Sequence, residues 1–147
     1  MKATQVLMDE HRVIERVLNS LQAGADRLES GQFVRPEFFL QAADFIKGFA
    51  DGCHHKKEEG VLFIKMEQAG VPAQGGPIGV MLTEHEMGRQ YTQALRQAAE
   101  AMRQGDASAS RQAIQSARDY VDLLRQHIFK EDNILFPLAE QVIPAEA

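Results

Sequence analysis

Cysteine is almost absent from this chain, because Cys53 is the only one among its 147 residues. A lone cysteine excludes an internal disulfide framework. Long apolar runs are missing as well, since a stretch such as 61–64 is far shorter than the roughly 20 apolar residues that a transmembrane helix needs. The first residues contain no signal-peptide core before the charged pair at 9 and 10. We therefore expect a cytoplasmic protein without a membrane span.

Basic residues are outnumbered, with 16 Lys and Arg against 21 Asp and Glu and a formal net charge of −5. A surface that binds nucleic acid needs an excess of positive charge facing the phosphates. The charge balance therefore argues against nucleic acid as a partner. The content of 44% hydrophobic and 25% charged residues is ordinary for a globular protein.

Strand-like alternation of apolar and polar residues is also lacking, whereas apolar residues recur at spacings of three and four. We predict four helices, over about 4–29, 36–68, 77–104 and 108–141. Thr4 is the predicted first N-cap, and Pro137 should kink or loosen the last turns of the fourth helix. Four long helices with short links predict an all-α fold, an antiparallel up-down-up-down four-helix bundle.

The chain is predicted to be one domain over 1–147 that is built from two helix-pair halves, 4–69 and 77–141. The second and fourth helices share a pattern of His, Glu, Leu and Phe that returns in register after 73 residues, at 54–63 and 127–136. The first and third helices each bring one histidine, His11 and His85, which lie 74 residues apart. The repeat predicts a site with pseudo-two-fold symmetry.

The inward stripes of these helices carry imidazoles and carboxylates. The candidate metal ligands are His11, His54, Glu58, His85, His127 and Glu131. A His and a Glu four residues apart share one helix face, and a buried imidazole above a buried carboxylate is costly unless a cation lies between them. Two metals are the natural count, each with two imidazoles and with both carboxylates bridging. Nitrogen and oxygen ligands without a thiolate favour iron, manganese or zinc over a closed structural zinc site.

Neighbouring residues leave alternatives open. His55 and Glu59 form a rival pair, offset by one residue, which points about 100° away on an α-helix. Because the repeat carries no histidine opposite His55, this residue is predicted to lie behind the ligands or to be partly exposed. Glu15, four residues after His11, is a candidate seventh ligand, although an exposed charge beside a neighbouring arginine is the simpler interpretation.

Four further residues near the motifs have both an ordinary and a functional interpretation. Glu10 and Glu84 each precede a candidate ligand, and we predict that they are solvated charges. Cys53 could be a redox-active thiol, but a small packed residue is the simpler interpretation. Tyr120 could hydrogen-bond a bound ligand, but its place on the apolar stripe predicts a core residue.

The motifs resemble those of the hemerythrin-like HHE cation-binding domains, over about residues 8–137. The residues that carry the resemblance are His11, His54-x-x-x-Glu58, His85 and His127-x-x-x-Glu131. The resemblance implies a four-helix bundle around a non-haem di-iron centre, bridged by two glutamates and often by an oxo or hydroxo group. Oxygen-carrying members place another histidine four residues after the third-helix ligand, where this chain has Arg89. The chain therefore resembles more closely the four-histidine members associated with nitric oxide, iron handling and redox stress.

We expect a non-haem di-iron protein that binds or senses dioxygen, nitric oxide or peroxide in redox or nitrosative stress. The alternatives are an enzyme that decomposes peroxide or reduces nitric oxide, an iron-storage or iron-donor protein, and a bundle that binds a partner with zinc or without a functional metal. We expect no signalling domain beside these helices, so a sensor would need a partner protein. A homodimer is one possible oligomeric state.

Overall fold

The structure is a computed structural model that describes residues 2–144, and in this range it consists of four long helices. We label them α1 (Lys2–Glu29), α2 (36–68), α3 (Pro77–Arg103) and α4 (110–142, after a 3-10 turn at Ala107–Ala109). No strand occurs within the described residues, which confirms the predicted all-α class. The predicted N-cap at Thr4 is wrong, because α1 begins at Lys2 and Thr4 lies inside its first turn. No helix of this range is long and apolar enough to cross a bilayer.

Contacts at the two ends of each helix pair show that neighbouring helices run in opposite directions, so the bundle is antiparallel. Between α1 and α4, Thr4 donates a hydrogen bond of 2.8 Å to Glu140 at one end. At the other end of this pair, Arg118 pairs with Glu29 at 2.8 Å. The other three helix pairs show the same opposite direction. The contacts are Glu10–His54 and Gly24–Phe38 between α1 and α2, Glu59–His85 and Asp44–Arg96 between α2 and α3, and Glu84–His127 and Gly88–Tyr120 between α3 and α4.

Two of the helices are not α-helical throughout. Their π-helical segments are Ile46–His55 and Glu58–Leu62 in α2, and Glu131–Leu135 in α4. The amide of Phe63 donates to the carbonyl of Glu58, and the amide of Phe136 donates to the carbonyl of Glu131. Such bonds between residues five apart define a π turn, which is frequent at functional sites. Each of the two candidate bridging glutamates thus opens a π turn.

Pro137 lies directly after the π turn of α4, inside the segment Phe136–Val142. The matching turn of α2 is π-helical as well, although Ile64 stands there at the position of the proline. The widened turn is therefore common to both halves of the repeat and does not require Pro137.

Within residues 2–144, two apolar clusters fill the bundle on either side of a polar layer. Fully buried members of the larger cluster include Leu18, Leu21, Phe39 and Leu95, and buried members of the smaller one include Met66, Ile78 and Leu135. Along α1, His11 lies between Leu7 of the smaller cluster and Ile14 of the larger. The polar layer that contains the candidate ligands is therefore covered by hydrocarbon on both sides.

Candidate metal centre

The six predicted ligands all lie in this polar layer and are at most 1% exposed. In the described part of the chain, their donor atoms and one of His55 form two groups in which all atoms lie within 4.8 Å of one another. The first group is His11, His54, Glu58 and Glu131, and the second is His55, Glu58, His85 and His127. Glu58 belongs to both groups, as a bridging ligand would.

Glu131 reaches imidazoles from both halves of the repeat. Its Oε1 lies 2.9 Å from Nε2 of His11 and 3.3 Å from Nε2 of His127. Burial raises the pKa of this carboxyl, but the positive charge of His127 and the hydrogen bond from His11 outweigh burial, and the pKa is lowered. Glu131 is therefore an anion at the centre.

Glu58 occupies the corresponding place in the other half. Its Oε1 lies 3.2 Å from Nε2 of His85, and its Oε2 lies 3.6 Å from Nε2 of His54. Neither oxygen has a hydrogen-bond partner within residues 2–144. Burial raises the pKa of this carboxyl, and the negative charge of Glu131 raises it further. A cation is the group that would lower the cost of a second carboxylate here.

Every imidazole of the layer is held from outside by a carboxylate at its Nδ1. The pairs are His11 with Asp132 (2.8 Å), His54 with Glu10 (2.9 Å), His55 with Asp51 (3.0 Å), His85 with Glu59 (2.7 Å) and His127 with Glu84 (2.9 Å). Because an ionised carboxylate only accepts, each Nδ1 carries the proton and donates it. In a neutral ring of this tautomer the lone pair of Nε2 faces the centre, as a metal ligand needs.

Glu10 and Glu84 are not the solvated charges that we predicted. Each bonds the imidazole of a neighbouring helix with one oxygen, and each accepts a hydrogen bond from a lysine with the other. Lys57 lies 2.5 Å from Glu10 and Lys130 lies 2.6 Å from Glu84, so the arrangement repeats with the two halves. The prediction was wrong because it considered only the helix on which each glutamate lies.

The two facing nitrogens of His85 and His127 lie 3.1 Å apart. Burial lowers the pKa of His127, but the carboxylates of Glu131 and Glu84 outweigh burial and raise the pKa to about 9. Burial, together with the charges of His55 and His127, lowers the pKa of His85. In the metal-free protein the proton between the two nitrogens therefore resides on His127, in the place that a metal ion would take.

The family model of the hemerythrin HHE cation binding domain matches residues 2–139. The chain belongs to this family. "Uncharacterized protein Rv1995" of Mycobacterium tuberculosis and "Uncharacterized protein Mb2018" of Mycobacterium bovis are each 29% identical to it over 143 residues. The alignments cover 97% of this chain and 55% of either relative, so the chain spans about half the length of these proteins.

The donors present in this HHE domain fit metal ions. Five buried atoms of the layer have no hydrogen-bond partner among the described residues: Nε2 of His54, Nε2 of His55, both oxygens of Glu58 and Oε2 of Glu131. Buried polar atoms without partners cost free energy. Cations placed between these atoms would satisfy them together.

Arg89 and Glu15, two positions at which a further ligand was considered, lie outside the centre. The Arg89 side chain is 41% exposed and pairs with Glu86 at 3.1 Å and with Glu59 at 3.7 Å. Glu15 is also 41% exposed and pairs with Arg12 at 2.9 Å. Neither residue belongs to the two ligand groups of the described chain.

His55 is the residue of the layer that the sequence reasoning placed elsewhere. It is 2% exposed and belongs to the second ligand group. Our prediction used the 100° per residue of an α-helix, but Ile46–His55 is π-helical, and a π-helix turns less per residue. His54 and His55 can therefore both point inward. Asp51, four residues before His55, was the available signal.

Tyr120 and Cys53 lie near the centre without belonging to it. Tyr120 is buried in the larger apolar cluster, as predicted, and its hydroxyl has no partner within residues 2–144. Burial raises the pKa of this hydroxyl, and the charge of Asp51 raises it further. Cys53 is a half-buried free thiol beside the two inward histidines of α2.

Proposed function

We propose that this HHE domain holds two iron ions, one in each ligand group, and binds or senses dioxygen, nitric oxide or peroxide in redox or nitrosative stress. The observation that carries the proposal is the convergence of buried donor atoms that lack hydrogen-bond partners within the described residues. Metal binding itself follows from the family and from these clusters. The iron pair, the small ligand and a cytoplasmic setting are the proposed part.

Two ions are proposed because both carboxylates reach both halves of the bundle. Glu131 contacts His11 of one group and His127 of the other, and Glu58 belongs to both groups. Carboxylates that bridge paired metals hold them roughly 3.5–4 Å apart. A single ion would leave the imidazole nitrogens of one half without a partner for their lone pairs.

Iron is proposed because the donors are imidazole nitrogens and carboxylate oxygens without a thiolate, with zinc and manganese as alternatives. When bound, a redox-active metal pair would supply reversible electron transfer to or from a small ligand. The chain itself supplies position and shielding. Glu58 and Glu131 keep the two sites together, the outer carboxylates fix each imidazole, and the apolar clusters exclude bulk water.

The proposed ligand is small because the layer is closed. All the inner donors are at most 2% exposed, so a bulky organic substrate could not reach them. The seven residues of the two groups also provide fewer donors than two octahedral ions accept. Open coordination positions are where such ligands bind.

A second candidate function, peroxide breakdown or nitric oxide reduction, is favoured by one observation. The buried hydroxyl of Tyr120 has no hydrogen-bond partner among residues 2–144, and the charge of Asp51 acts on it. An unpartnered hydroxyl near the centre could hydrogen-bond a reduced ligand, although burial makes it a weaker acid than a free phenol. Arg89 does not support this function, because its ion pairs hold it at the surface.

Metal content and ligand response of the purified protein test the proposal. We expect two irons per chain and near-ultraviolet and visible absorption in the ferric form, both lost in Glu58→Ala and retained in the surface variant Glu15→Gln. A reversible spectral change on adding dioxygen or nitric oxide to the reduced protein supports binding or sensing. Catalytic peroxide loss that disappears in Tyr120→Phe supports the enzyme, and ready transfer of iron to an apo-protein supports an iron donor. A colourless protein that contains no iron after expression in iron-rich medium overturns the proposal.

A further inference from the structure

We propose that the groove between the end of α1 and the start of α2 binds a small aromatic anion, a planar ring that carries a carboxylate or a phosphate. This loop groove has a volume of about 690 Å³, within the roughly 300–1,000 Å³ of small-molecule sites. Its lining includes Gly24, Arg27, Phe33, Val34, Arg35 and Phe38. Gly24 lies about 20 Å beyond His11 along α1, at 1.5 Å per residue. The site is therefore separate from the metal centre and does not depend on it.

The loop groove is positively charged, although the whole chain has a net charge of −5. Among the described residues, Arg27 and Arg35 are the only charged side chains that line it, and neither makes an ion pair or a side-chain hydrogen bond. Arg118, by contrast, is neutralised by Asp26 and Glu29. Two unpaired guanidinium groups beside one cavity attract an anion. Their planar shape matches a carboxylate or a phosphate, which can accept two parallel hydrogen bonds.

Two phenylalanine rings form the apolar part of the loop groove. Phe33 is 84% exposed, the most of any large apolar side chain in residues 2–144. The ring of Phe38 lies so close to the backbone of Gly24 that a Cβ atom at this position would overlap it. Exposed aromatic surface is unfavourable in water, and a ligand ring stacked on it would remove this surface from water. The rings and the arginines together therefore select a ligand that is both flat and anionic.

The second half of the repeat provides an internal comparison. Both halves end their first helix with the same turn, in which Gly31 (φ 89°) and Gly105 (φ 99°) are left-handed. The amide of the following residue donates a hydrogen bond of 3.0 Å to the carbonyl of Arg27 in one half and of Ala101 in the other. With this register, the residues at 24, 27 and 33 correspond to Ala98, Ala101 and Ala107. The turn therefore forms without the arginine and the exposed phenylalanine, and these side chains are available for binding.

Titration of the full chain with naphthoate, a planar aromatic carboxylate, tests the proposal, and the neutral naphthamide is the matched probe. Calorimetry measures the affinity, and amide NMR shifts locate the ligand. We expect one naphthoate per chain, with the largest shifts at Phe33, Val34 and Phe38. Naphthamide should bind about tenfold more weakly or worse, because it lacks the charge that the arginines recognise. Equal affinity for the two probes, or largest shifts elsewhere in the bundle, would overturn the proposal.

Variants of the two arginines separate recognition of charge from folding. Arg27→Gln and Arg35→Gln should each weaken naphthoate binding by about tenfold and leave naphthamide binding unchanged. Arg16→Gln is the matched control, because Arg16 is also exposed and unpaired among the described residues but does not line the loop groove. Naphthoate affinity that is unchanged in both groove variants, or lowered equally in the control, contradicts the assignment.

A change in the shape of the loop groove gives an independent result. Gly24→Ala copies the alanine of the second half, and its Cβ should displace the Phe38 ring and weaken both probes. Circular dichroism checks that the helices remain. Two outcomes would assign the groove otherwise: no binding of either probe at millimolar concentration, or a dimer in sedimentation that Phe33→Ala abolishes. The first shows that the groove takes no aromatic anion, and the second shows that another copy of the chain covers it. Neither outcome bears on the metal centre.

Discussion

Glu10 accepts a hydrogen bond of 2.9 Å from Nδ1 of His54, across the interface between α1 and α2. The contact fixes both the tautomer and the direction of the ring, so that Nε2 points into the centre. Glu10 is itself bound by a lysine at 2.5 Å, and its pKa is lowered: burial acts to raise it, but the lysine and the histidine together prevail. The carboxylate is therefore charged at neutral pH and available to hold the imidazole.

From this contact we predict that Glu10→Gln weakens metal binding by about 10–100-fold without unfolding the bundle. The amide is uncharged and can turn its NH2 group toward the ring, so it no longer enforces the proton on Nδ1. Chelator competition measures the affinity, and circular dichroism checks the helix content. Glu15→Gln is the matched control, because within residues 2–144 Glu15 pairs with a surface arginine and not with the centre. Equal affinity in the two variants would contradict a role for Glu10 in orienting His54.

The pH dependence of metal binding follows from His127. Its pKa is about 9 in the metal-free protein, so at pH 7 a metal ion must displace the proton from this ring. We therefore predict that apparent affinity rises with pH, by up to about tenfold per unit for the His127 proton, and that this contribution levels off near pH 9. Calorimetry in buffers of different ionisation enthalpy should show proton release at pH 7. In Glu84→Gln, which removes one of the carboxylates that raise this pKa, the plateau should begin at a lower pH.

The stability of the metal-free protein should depend on Glu58. Its folded-state pKa is raised above the unfolded value, so its contribution is fully present below the unfolded pKa and is lost as pH rises through the folded pKa. We predict that metal-free Glu58→Gln is more stable than the wild type at pH 7–8, by on the order of 1–3 kcal/mol, and loses less stability between pH 5 and 8. Urea denaturation at several pH values measures both effects. The same variant should bind metal more weakly, and a stability equal to wild type at pH 8 would argue against a buried, strained carboxylate.

Removal of the metal should lower the free energy of unfolding without unfolding the helices. Apolar clusters on both sides of the layer hold the bundle, whereas a metal at about 1,000 times its dissociation constant adds about 4 kcal/mol. We predict that chelation lowers the melting temperature and leaves the far-ultraviolet circular dichroism helical. Leu95→Ala, in the larger cluster, should cost about 2–5 kcal/mol in both forms. Loss of helix on chelation would show that the metal, and not the apolar clusters, holds the fold.

The sequence was sufficient to predict the bundle because its signals were periodic and repeated. The apolar stripes predict four helices, and the predicted ends lie within two residues of the observed ends. The 73-residue repeat selected inward histidines and glutamates, and the structure places all six in one layer. Local spacing sufficed there, since each ligand pair lies on one helix face.

The parts that could not be predicted depend on departures from ideal helices and on neighbouring helices. The geometry of a regular α-helix predicts that His55 points away from the centre, but the backbone there is π-helical and the side chain points inward. Position within a single helix predicts solvated charges at Glu10 and Glu84, because their partners, His54 and His127, lie on other helices. Sequence spacing gives direction within one helix, whereas these contacts depend on how two helices are rotated against each other.

The π turns at Glu58 and Glu131 have a consequence for protein engineering. Each turn holds one residue more per hydrogen-bonded ring than an α turn, and each begins at a glutamate that both halves share. If the same side chains were transplanted onto four regular helices, the residues after each glutamate would be rotated and the glutamates would be aimed differently. A designer who wished to copy this centre would have to copy the inserted residue of each turn. The π-helical backbone would be part of the design, because it sets the direction of the ligand side chains.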